Sequence, residues 1–412
     1  MTRLQDANRV DDIAPPNASA LLAATRSFLP FAKPCVGEDE IQAVTETMRS
    51  GWLTTGPVTK LFEQEFAEAI GARHAIAVNS ATAGLHLALE AIGVGPGDKV
   101  FTTPFTFTAT AEVIRYMGAD PIFVDIDPLT FNIDVNKLAA AAAAHPEAKA
   151  IMPVHFGGQA CDMDAIADIA KHYGLIIVED AAHAFPATSS GRMIGTIGDI
   201  TVFSFYANKT MTTGEGGMVV TASPQLASRI QTMRLHGINR DAFDRFTSPT
   251  ASWYYEVVAP GFKYNLTDIA SAIGRSQLTK AMHFRQQRAG IAAAYAEGLR
   301  GLPIELPKER HANDLHAWHL YVVKLSLDKL SISRDRFIEL MRQAGIGTSV
   351  HYIPLHLQPY WRDRYSLTPA HFPEADAAYH RCVSLPIWHG MSTAEVQRVV
   401  ATVREILDAH AI

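Results

Sequence analysis

From about residue 40 onward, apolar residues follow two alternating patterns along the chain. Stretches with apolar residues three and four positions apart predict helices, and short apolar runs between them predict strands. The predicted helices are Glu38–Arg49, Lys60–Ile70, Thr82–Ile92, Thr108–Met117, Val135–Ala144 and Met163–Tyr173. The predicted strands are Ala75–Val78, Val100–Thr103, Pro121–Val124, Ala150–Val154, Leu175–Val178, Asp199–Phe205 and Gly217–Thr221. Strands that alternate with helices of about ten residues predict a mostly parallel sheet covered by helices.

The pattern changes after about residue 225, where long helices are predicted at Leu266–Lys280 and Ala281–Leu299. A smaller α+β unit is predicted beyond them, with strands Trp318–Leu325 and Thr348–Tyr352 and helices Arg334–Ala344 and Thr393–Ala409. The expected fold class is therefore α/β, with a large domain over 28–280 and a small C-terminal domain over 281–412. Residues 1–27 are expected to form a flexible extension.

Composition narrows the function classes. The net charge is −6, so the chain lacks the basic excess that would indicate binding to nucleic acid or to an anionic membrane. No apolar run approaches the roughly 20 residues that span a bilayer, and the N-terminus lacks the apolar centre of a signal peptide. The three cysteines are far apart, which excludes a disulfide framework and fits a reducing cytoplasm. The seventeen histidines show no metal-ligand spacing, so no metal site is expected.

The candidate chemistry lies in three linked segments, at 178–184, 203–209 and 214–217. Asp180 follows the predicted strand Leu175–Val178, and Ser204 and Lys209 lie at and after the end of the next strand. Ligands of open parallel sheets bind beyond the carboxyl ends of the strands. We therefore expect an acid, a hydroxyl and an amine to converge on one site.

This combination suits pyridoxal phosphate (PLP). A lysine amine forms an imine with the cofactor aldehyde. A carboxylate beside the pyridine nitrogen keeps it protonated, so that the ring accepts electrons, and a hydroxyl can bind the phosphate. A single loop lysine is ordinarily a solvated surface residue. Lys209 differs because it follows an apolar strand, precedes a glycine-rich turn and accompanies the strand-end Asp180.

These segments resemble the DegT/StrS-type sugar aminotransferase family of fold-type-I PLP enzymes. The resemblance runs from about Phe28 to the C-terminus and includes Leu29–Pro34 and Ser50–Pro57. It implies that the chain is an aminotransferase with the fold-type-I PLP transferase architecture. By the same resemblance, the amino donor is L-glutamate and the reaction is of the ping-pong type.

The resemblance also assigns roles to the strand-end residues. Lys209 matches the lysine that holds the cofactor as an imine and then acts as general acid and base. Asp180 matches the partner of the pyridine nitrogen. His183 occupies a position, commonly Gln or His, beside the ring hydroxyl, and Ser204 matches a phosphate ligand.

The segment Asn79–Gly84, which includes Thr82 and Ala83, matches the family's phosphate cup. Independently, it joins a predicted strand to a predicted helix, and helix N-termini offer free backbone amides to phosphate. Taken alone, the segment is better explained as an N-cap, with Ser80 or Thr82 as the capping residue.

Two further residues gain roles only from the resemblance. Phe107 matches the aromatic residue that stacks on the PLP ring, although Phe105 shares its strand parity and residue spacing does not choose between them. Asn265 matches an asparagine that reaches the phosphate of the other subunit, which implies a homodimer with shared active sites. Otherwise Asn265 would only cap the helix that follows.

The substrate side points to C4 aminotransferases of nucleotide-linked 4-keto sugars. His236–Asp241 and Pro260–Asn265 resemble the enzymes that make UDP-4-amino-4-deoxy-L-arabinose. Val350–His356 is more similar to enzymes that aminate 6-deoxy-4-keto N-acetylhexosamines, so the sugar stays open. Arg240, His351 and Tyr352 are candidate sugar or nucleotide contacts, with ordinary surface or interface packing as the alternative.

Three other functions are weighed against this one. PLP-dependent sugar dehydratases resemble the chain but carry His in place of the anchoring lysine, so Lys209 argues against that activity. A C3 aminotransferase or an enzyme acting on an aminocyclitol would share the same cofactor residues. A PLP-binding protein without turnover is disfavoured by the complete set of residues.

Overall fold

Short strands with few polar residues build a seven-stranded sheet in the first half of the chain. The computed structural model describes residues 28–239 and 254–412, and the extension expected at 1–27 lies outside them. The strands of this sheet are β1 (His74–Val78), β2 (Lys99–Thr102), β3 (Asp120–Phe123), β4 (Ala150–Ile151), β5 (Ile176–Asp180), β8 (Ile200–Ser204) and β9 (Gly217–Thr221). A hairpin of β6 (Thr188–Ser189) and β7 (Arg192–Met193) lies between β5 and β8 in the sequence.

The strands are ordered β1-β9-β8-β5-β4-β2-β3 across the sheet. The pairs among β3, β2, β4, β5 and β8 are parallel, and β9 runs antiparallel to both β1 and β8. Every residue of β8 and β9 is buried, as expected for strands covered by helices on both faces. The predicted α/β class with a mostly parallel sheet is confirmed.

Helices cover both faces of this sheet. The helices of this part of the chain are α1 (Glu38–Ser50), α2 (Pro57–Ile70), α3 (Ala81–Ala91), α4 (Ala109–Tyr116), α5 (Val135–Ala144), α6 (Met163–Tyr173) and α7 (Pro224–Met233). One core cluster packs α2, α5 and α6 against one face of the sheet, and a second packs α3, α4 and α7 against the other. Helix α7 was not predicted from the sequence.

A single helix, α8 (Asp268–Gly298), replaces the two helices expected from the sequence. The helix continues through Gly274. A Cβ at that position would lie 2.6 Å from the Phe62 ring, so the glycine allows α8 to pack closely on α2. The domain boundary expected between residues 280 and 281 falls within this continuous helix.

The C-terminal part is an antiparallel sheet with helices. Its strands are β10 (Ile304–Glu305), β11 (Tyr321–Leu325) and β12 (Cys382–Leu385), and its helices are α9 (Arg334–Gln343), α10 (Pro359–Tyr365), α11 (Pro373–Arg381) and α12 (Thr393–Ala409). Short 3₁₀ turns occur at Phe156–Gly158, Leu327–Lys329, Leu355–Leu357 and Pro369–His371. A separate apolar cluster packs the second half of α8, β11, β12, α9 and α12 together.

The strand expected at Thr348–Tyr352 was wrong. Only Ser349 exchanges backbone hydrogen bonds there, with Ser384, at 3.1 and 2.8 Å. The chain then leaves β12 and turns towards the carboxyl edge of the large sheet, where Leu355 donates its amide to the Pro104 carbonyl at 2.8 Å. Across 28–239 and 254–412, no helix has both the length and the apolar character needed to cross a bilayer.

Candidate active site

A cavity of about 480 Å³ opens at the carboxyl edge of the seven-stranded sheet. Its size is within the range of small-molecule sites, roughly 300–1,000 Å³. Its walls come from the ends of β5 and β8, the start of α3 and the loop before α4. His351 and Tyr352, which follow the bridge between Ser349 and β12, complete them. The residues that line the cavity include Ser80, Ala81, Thr82, Phe107, Thr110, Asp180, His183, Ser204, Tyr206, Asn208, Lys209, Glu215, His351 and Tyr352.

Two neighbouring parallel strands supply the central chemistry. Asp180 is the last residue of β5 and pairs in register with Val202 of β8. Ser204 is the last residue of β8, and Lys209 follows five positions later in a turn where its amide donates to the Tyr206 carbonyl at 3.0 Å. All three sequence-predicted residues, Asp180, Ser204 and Lys209, therefore line the same cavity.

The Asp180 carboxylate is buried and is fixed by two donors. The Thr110 hydroxyl donates to its Oδ2 at 2.7 Å, and the Ala182 amide donates to its Oδ1 at 3.1 Å. Burial raises the pKa of Asp180, while these hydrogen bonds and the nearby charge of Lys209 act in the opposite direction. A positively charged ring nitrogen in the cavity would complete the set, because a buried carboxylate is stabilised by a cation.

Burial lowers the pKa of the Lys209 amine to about 8. The charge of Asp180 opposes this shift, and the positive charge of the buried Arg288 adds to it. A substantial fraction of the amine is therefore neutral near physiological pH, as required of a lysine that attacks an aldehyde and then exchanges protons.

The N-terminus of α3 faces the cavity through Ala81 and Thr82. Ser80 is the N-cap, and its hydroxyl accepts the Ala83 amide at 3.1 Å. Ala83 itself is buried outside the cavity lining. The start of α3 can lie close to the start of β9 because Gly217 has no side chain. A Cβ at Gly217 would lie 2.9 Å from the Ala81 nitrogen. The amides of the first turn then form a site for an anion.

The two candidate phenylalanines lie in different surroundings. Phe105 is fully buried and packs with Phe131 and Phe156 in an aromatic cluster. Phe107 is 59% exposed at the cavity, with its ring centroid 6.1 Å from that of Tyr352. Only Phe107 is therefore available to stack on a ligand in the cavity.

A histidine and a tyrosine, His183 and Tyr352, form another part of the cavity wall. Nδ1 of His183 accepts the Gly157 amide at 3.3 Å, and Nε2 lies 3.0 Å from the Tyr352 hydroxyl. His351 contacts the Ser384 hydroxyl through Nδ1 at 2.8 Å. Burial, and next the charge of Lys209, lowers the pKa of His351 to about 4, so its ring is neutral at physiological pH.

Asn265, another predicted residue, is not brought into this cavity. Asn265 lines a separate cavity of about 340 Å³, with Lys60, Arg234 and Asn239 among its neighbours, and its amide donates to the Thr55 hydroxyl. Arg240 lies outside the described residues.

Several cavity residues were not identified from the sequence. Thr110 holds Asp180, and Tyr206, Asn208 and Glu215 form part of the wall. The sequence offered no local signal for Thr110, because its bond to Asp180 joins α4 to the end of β5. Within the described residues, the buried Oδ1 of Asn208 has no hydrogen-bond partner, which leaves an acceptor for a bound group.

Together these residues fit PLP. The cavity combines a partly neutral lysine, a buried carboxylate, an anion-binding helix terminus, an exposed aromatic ring and an unpaired amide oxygen. In the described parts of the chain, no group of three or more His, Cys, Asp or Glu side chains is arranged to hold a metal ion.

Comparison with known proteins extends this fit to the whole fold. Residues 34–404 match the model of the DegT/DnrJ/EryC1/StrS aminotransferase family. Spore coat polysaccharide biosynthesis protein SpsC from Bacillus subtilis (strain 168) is 47% identical over 381 residues, which cover 92% of this chain and 97% of SpsC.

Solved structures agree with that match. The PLP form of Spr1654 from Streptococcus pneumoniae has a TM-score of 0.85 at 32% identity, covering 93% of this chain and 99% of that chain. Helicobacter pylori PseC, an aminotransferase involved in the biosynthesis of pseudoaminic acid, has a TM-score of 0.85 at 28% identity and covers 93% of this chain and 100% of its own.

Proposed function

The chain belongs to the DegT/DnrJ/EryC1/StrS aminotransferase family and its cofactor is pyridoxal phosphate, and we propose that it transfers the amino group of L-glutamate to C4 of a nucleotide-linked 4-keto sugar. The observation that carries the proposal is the shared cavity of Lys209, Asp180 and the N-terminus of α3. An amine, an acid and a phosphate site in one cavity are what PLP-dependent amine exchange requires.

Lys209 is the proposed catalytic residue. PLP, when bound, supplies an aldehyde carbon for amine exchange and a ring that accepts electrons. The Lys209 amine would hold the cofactor and, once displaced by the amino donor, would take the proton from the donor's α-carbon. A pKa of about 8 suits this exchange, because general acid–base catalysis is most effective near the working pH.

The other cavity residues are proposed to hold the cofactor. Asp180 would keep the ring nitrogen protonated, and Phe107 would stack on the ring face. The amides of Ala81 and Thr82 and the hydroxyl of Ser204 would bind the phosphate, since helix N-termini favour anions. Ala83 would contribute indirectly, because its amide orients the Ser80 hydroxyl at 3.1 Å.

We propose a homodimer with shared sites. Asn265 lies in the 340 Å³ cavity rather than with Lys209, which suits a role towards the phosphate bound by a partner subunit. Two-fold interfaces bring the same surface of both chains together, so each site would receive Asn265 from its neighbour.

The substrate class is supported by relatives. SpsC, at 47% identity, is a spore coat polysaccharide biosynthesis protein, and PseC is an aminotransferase involved in the biosynthesis of pseudoaminic acid. The sugar remains one of two kinds, a 4-keto pentose or a 6-deoxy-4-keto N-acetylhexosamine. His351 in the cavity wall and Arg240 are proposed as sugar or nucleotide contacts.

Product analysis tests this function. Purified holoenzyme is incubated with L-glutamate and either UDP-linked keto sugar, and the products are examined by mass spectrometry and NMR. We expect 2-oxoglutarate and an amine at C4 from one of the two sugars, and no product from Lys209→Ala. An amine at C3 would reassign the regiochemistry, and loss of a sugar hydroxyl would indicate a dehydratase. No product from any donor would favour a binding protein.

A further inference from the structure

Both ring nitrogens of His183 already have protein partners. The Gly157 amide donates to Nδ1 at 3.3 Å, and Nε2 lies 3.0 Å from the Tyr352 hydroxyl. A backbone amide can only donate, so Nδ1 carries no hydrogen. Burial, followed by the charges of Lys209 and His351, holds the pKa of His183 well below its usual value. The ring is therefore neutral, with its one hydrogen on Nε2.

This tautomer sets the direction of the Tyr352 hydroxyl. Since Nε2–H of His183 donates to the phenol oxygen, the hydrogen of Tyr352 must point elsewhere. Tyr352 lines the cavity, so the cavity is where that hydrogen can find an acceptor. Burial, and next the charge of Asp180, raises the pKa of Tyr352, which keeps the phenol protonated. Tyr352 is thus a fixed hydrogen-bond donor.

The neighbours of Tyr352 belong to the cofactor side of the cavity. Its ring centroid is 6.1 Å from that of Phe107 and 6.1 Å from that of His183, and the charge of Asp180 reaches its hydroxyl. Phe107 is proposed to stack on the cofactor ring and Asp180 to hold its nitrogen, and the resemblance places His183 beside the ring hydroxyl. The Tyr352 hydroxyl therefore lies among the residues proposed to hold the cofactor.

We propose that Tyr352 donates a hydrogen bond to the 3-oxygen of pyridoxal phosphate, and that His183 is a positioning residue that orients Tyr352. The sequence resemblance would put His183 itself beside that oxygen, but its two nitrogens are engaged by Gly157 and Tyr352. The inference rests on the bound cofactor and on neither the donor nor the sugar.

A pH titration of the visible absorbance band of the holoenzyme tests the contact. A donor at the ring oxygen stabilises negative charge there and lowers the proton affinity of the lysine-linked nitrogen beside it. Tyr352→Phe removes only the hydroxyl, so the pH midpoint should rise by about one unit, the size of a hydrogen bond to a charged group. The cofactor dissociation constant should rise about tenfold. Tyr360→Phe, at an exposed tyrosine, is the matched control and should leave both values unchanged.

Variants of His183 separate orientation from direct contact. His183→Leu should shift the midpoint in the same direction, because Tyr352 loses the group that orients it. His183→Gln should restore much of the wild-type value, since its amide N–H can replace Nε2–H as a donor. His183→Leu combined with Tyr352→Phe should shift the midpoint no further than Tyr352→Phe alone, because residues that act in series are not additive.

Two results would overturn the inference. A wild-type midpoint and cofactor affinity in Tyr352→Phe, with a raised KM for the keto sugar, would make Tyr352 a sugar contact. Additive shifts in the double variant would mean that His183 reaches the cofactor on its own. The titration needs neither L-glutamate nor a sugar, so a wrong substrate assignment would leave its outcome unaffected.

Discussion

Thr110 donates its hydroxyl hydrogen to Oδ2 of Asp180 at 2.7 Å, across 70 positions of sequence. Both residues are buried. The Thr106 hydroxyl lies 2.8 Å from the Thr110 hydroxyl and can donate to it while Thr110 donates to Asp180. The pair joins the start of α4, which follows the exposed Phe107, to the end of β5. One hydroxyl thereby connects the proposed stacking residue to the proposed partner of the ring nitrogen.

Replacing Thr110 should weaken cofactor binding. Thr110→Val keeps the shape but removes a donor to a charged acceptor, which raises the pKa of Asp180 further and favours its protonated form. We expect the PLP dissociation constant to rise about tenfold and kcat to fall by a similar factor. Thr110→Ser should recover most of both, and Thr279→Val on the exposed side of α8 is the control. A wild-type PLP dissociation constant in Thr110→Val would contradict this role of Thr110.

Lys209 should determine how the apoenzyme captures PLP. Its pKa of about 8 lies below the ordinary lysine value of about 10.4 because of burial, so the neutral amine accumulates between about pH 7 and 9. The rate at which the visible band appears after mixing should rise through this range and then level off. Lys209→Ala and Lys209→Arg should give no band and no turnover with an unchanged circular dichroism spectrum. Full activity in either variant would contradict the assignment.

The two phenylalanines should respond oppositely to truncation. Phe105→Ala empties a fully buried site and should cost about 3–5 kcal/mol in the free energy of unfolding of the apoenzyme, measured in urea. Phe107→Ala removes a ring that is 59% exposed, so its cost should stay within about 0.5 kcal/mol. The PLP dissociation constant should instead rise about three- to tenfold in Phe107→Ala. Unchanged PLP affinity would show that Phe107 does not stack on the ring.

Subunit mixing tests whether Asn265 acts across an interface. Lys209→Ala and Asn265→Ala chains should each be impaired, but co-expression should restore activity to about a quarter of wild type, because half of the dimers contain one complete site. Lys209→Ala mixed with the double variant should show no recovery. If Asn265 served the site of its own chain, neither mixture would recover.

The sequence was sufficient where chemistry follows the ends of apolar strands. The all-apolar run Leu175–Val178 and the strand before Ser204 indicated a covered parallel sheet, and adjacent strand ends share one edge of such a sheet. Asp180, Ser204 and Lys209 were therefore expected to converge, and they line one cavity. Most strand boundaries shifted by only one or two residues, but the strand expected at Ala150–Val154 ends at Ile151 and the strand expected at Trp318–Leu325 begins at Tyr321.

Contacts between distant segments were beyond the sequence. The parity of Phe105 and Phe107 left the exposed ring undecided, since only the packing of Phe131 and Phe156 against Phe105 distinguishes them. The bond between Thr110 and Asp180 depends on the position of α4 over β5. The partners of the His183 nitrogens likewise come from separate segments of the chain.

Local pattern also misled at the C-terminal part. Residues 348–352 alternate like a strand, but a single bridge to Ser384 is all that forms before the chain turns to the cavity. Tertiary contacts outweigh strand propensity in such a segment. The missed helix Pro224–Met233 begins at an N-cap, Ser223, followed by proline, which is a recognisable start signal.

The most direct test of the account is an absorbance spectrum of the purified protein with PLP, taken before and after addition of L-glutamate alone. The account predicts a visible band from the lysine-linked cofactor that gives way to the amine form of the cofactor, with one equivalent of 2-oxoglutarate per site. A keto sugar that is a substrate should then restore the band. No visible band after PLP is added, or a band that no amino donor changes, would contradict a lysine-based amine transfer at this site.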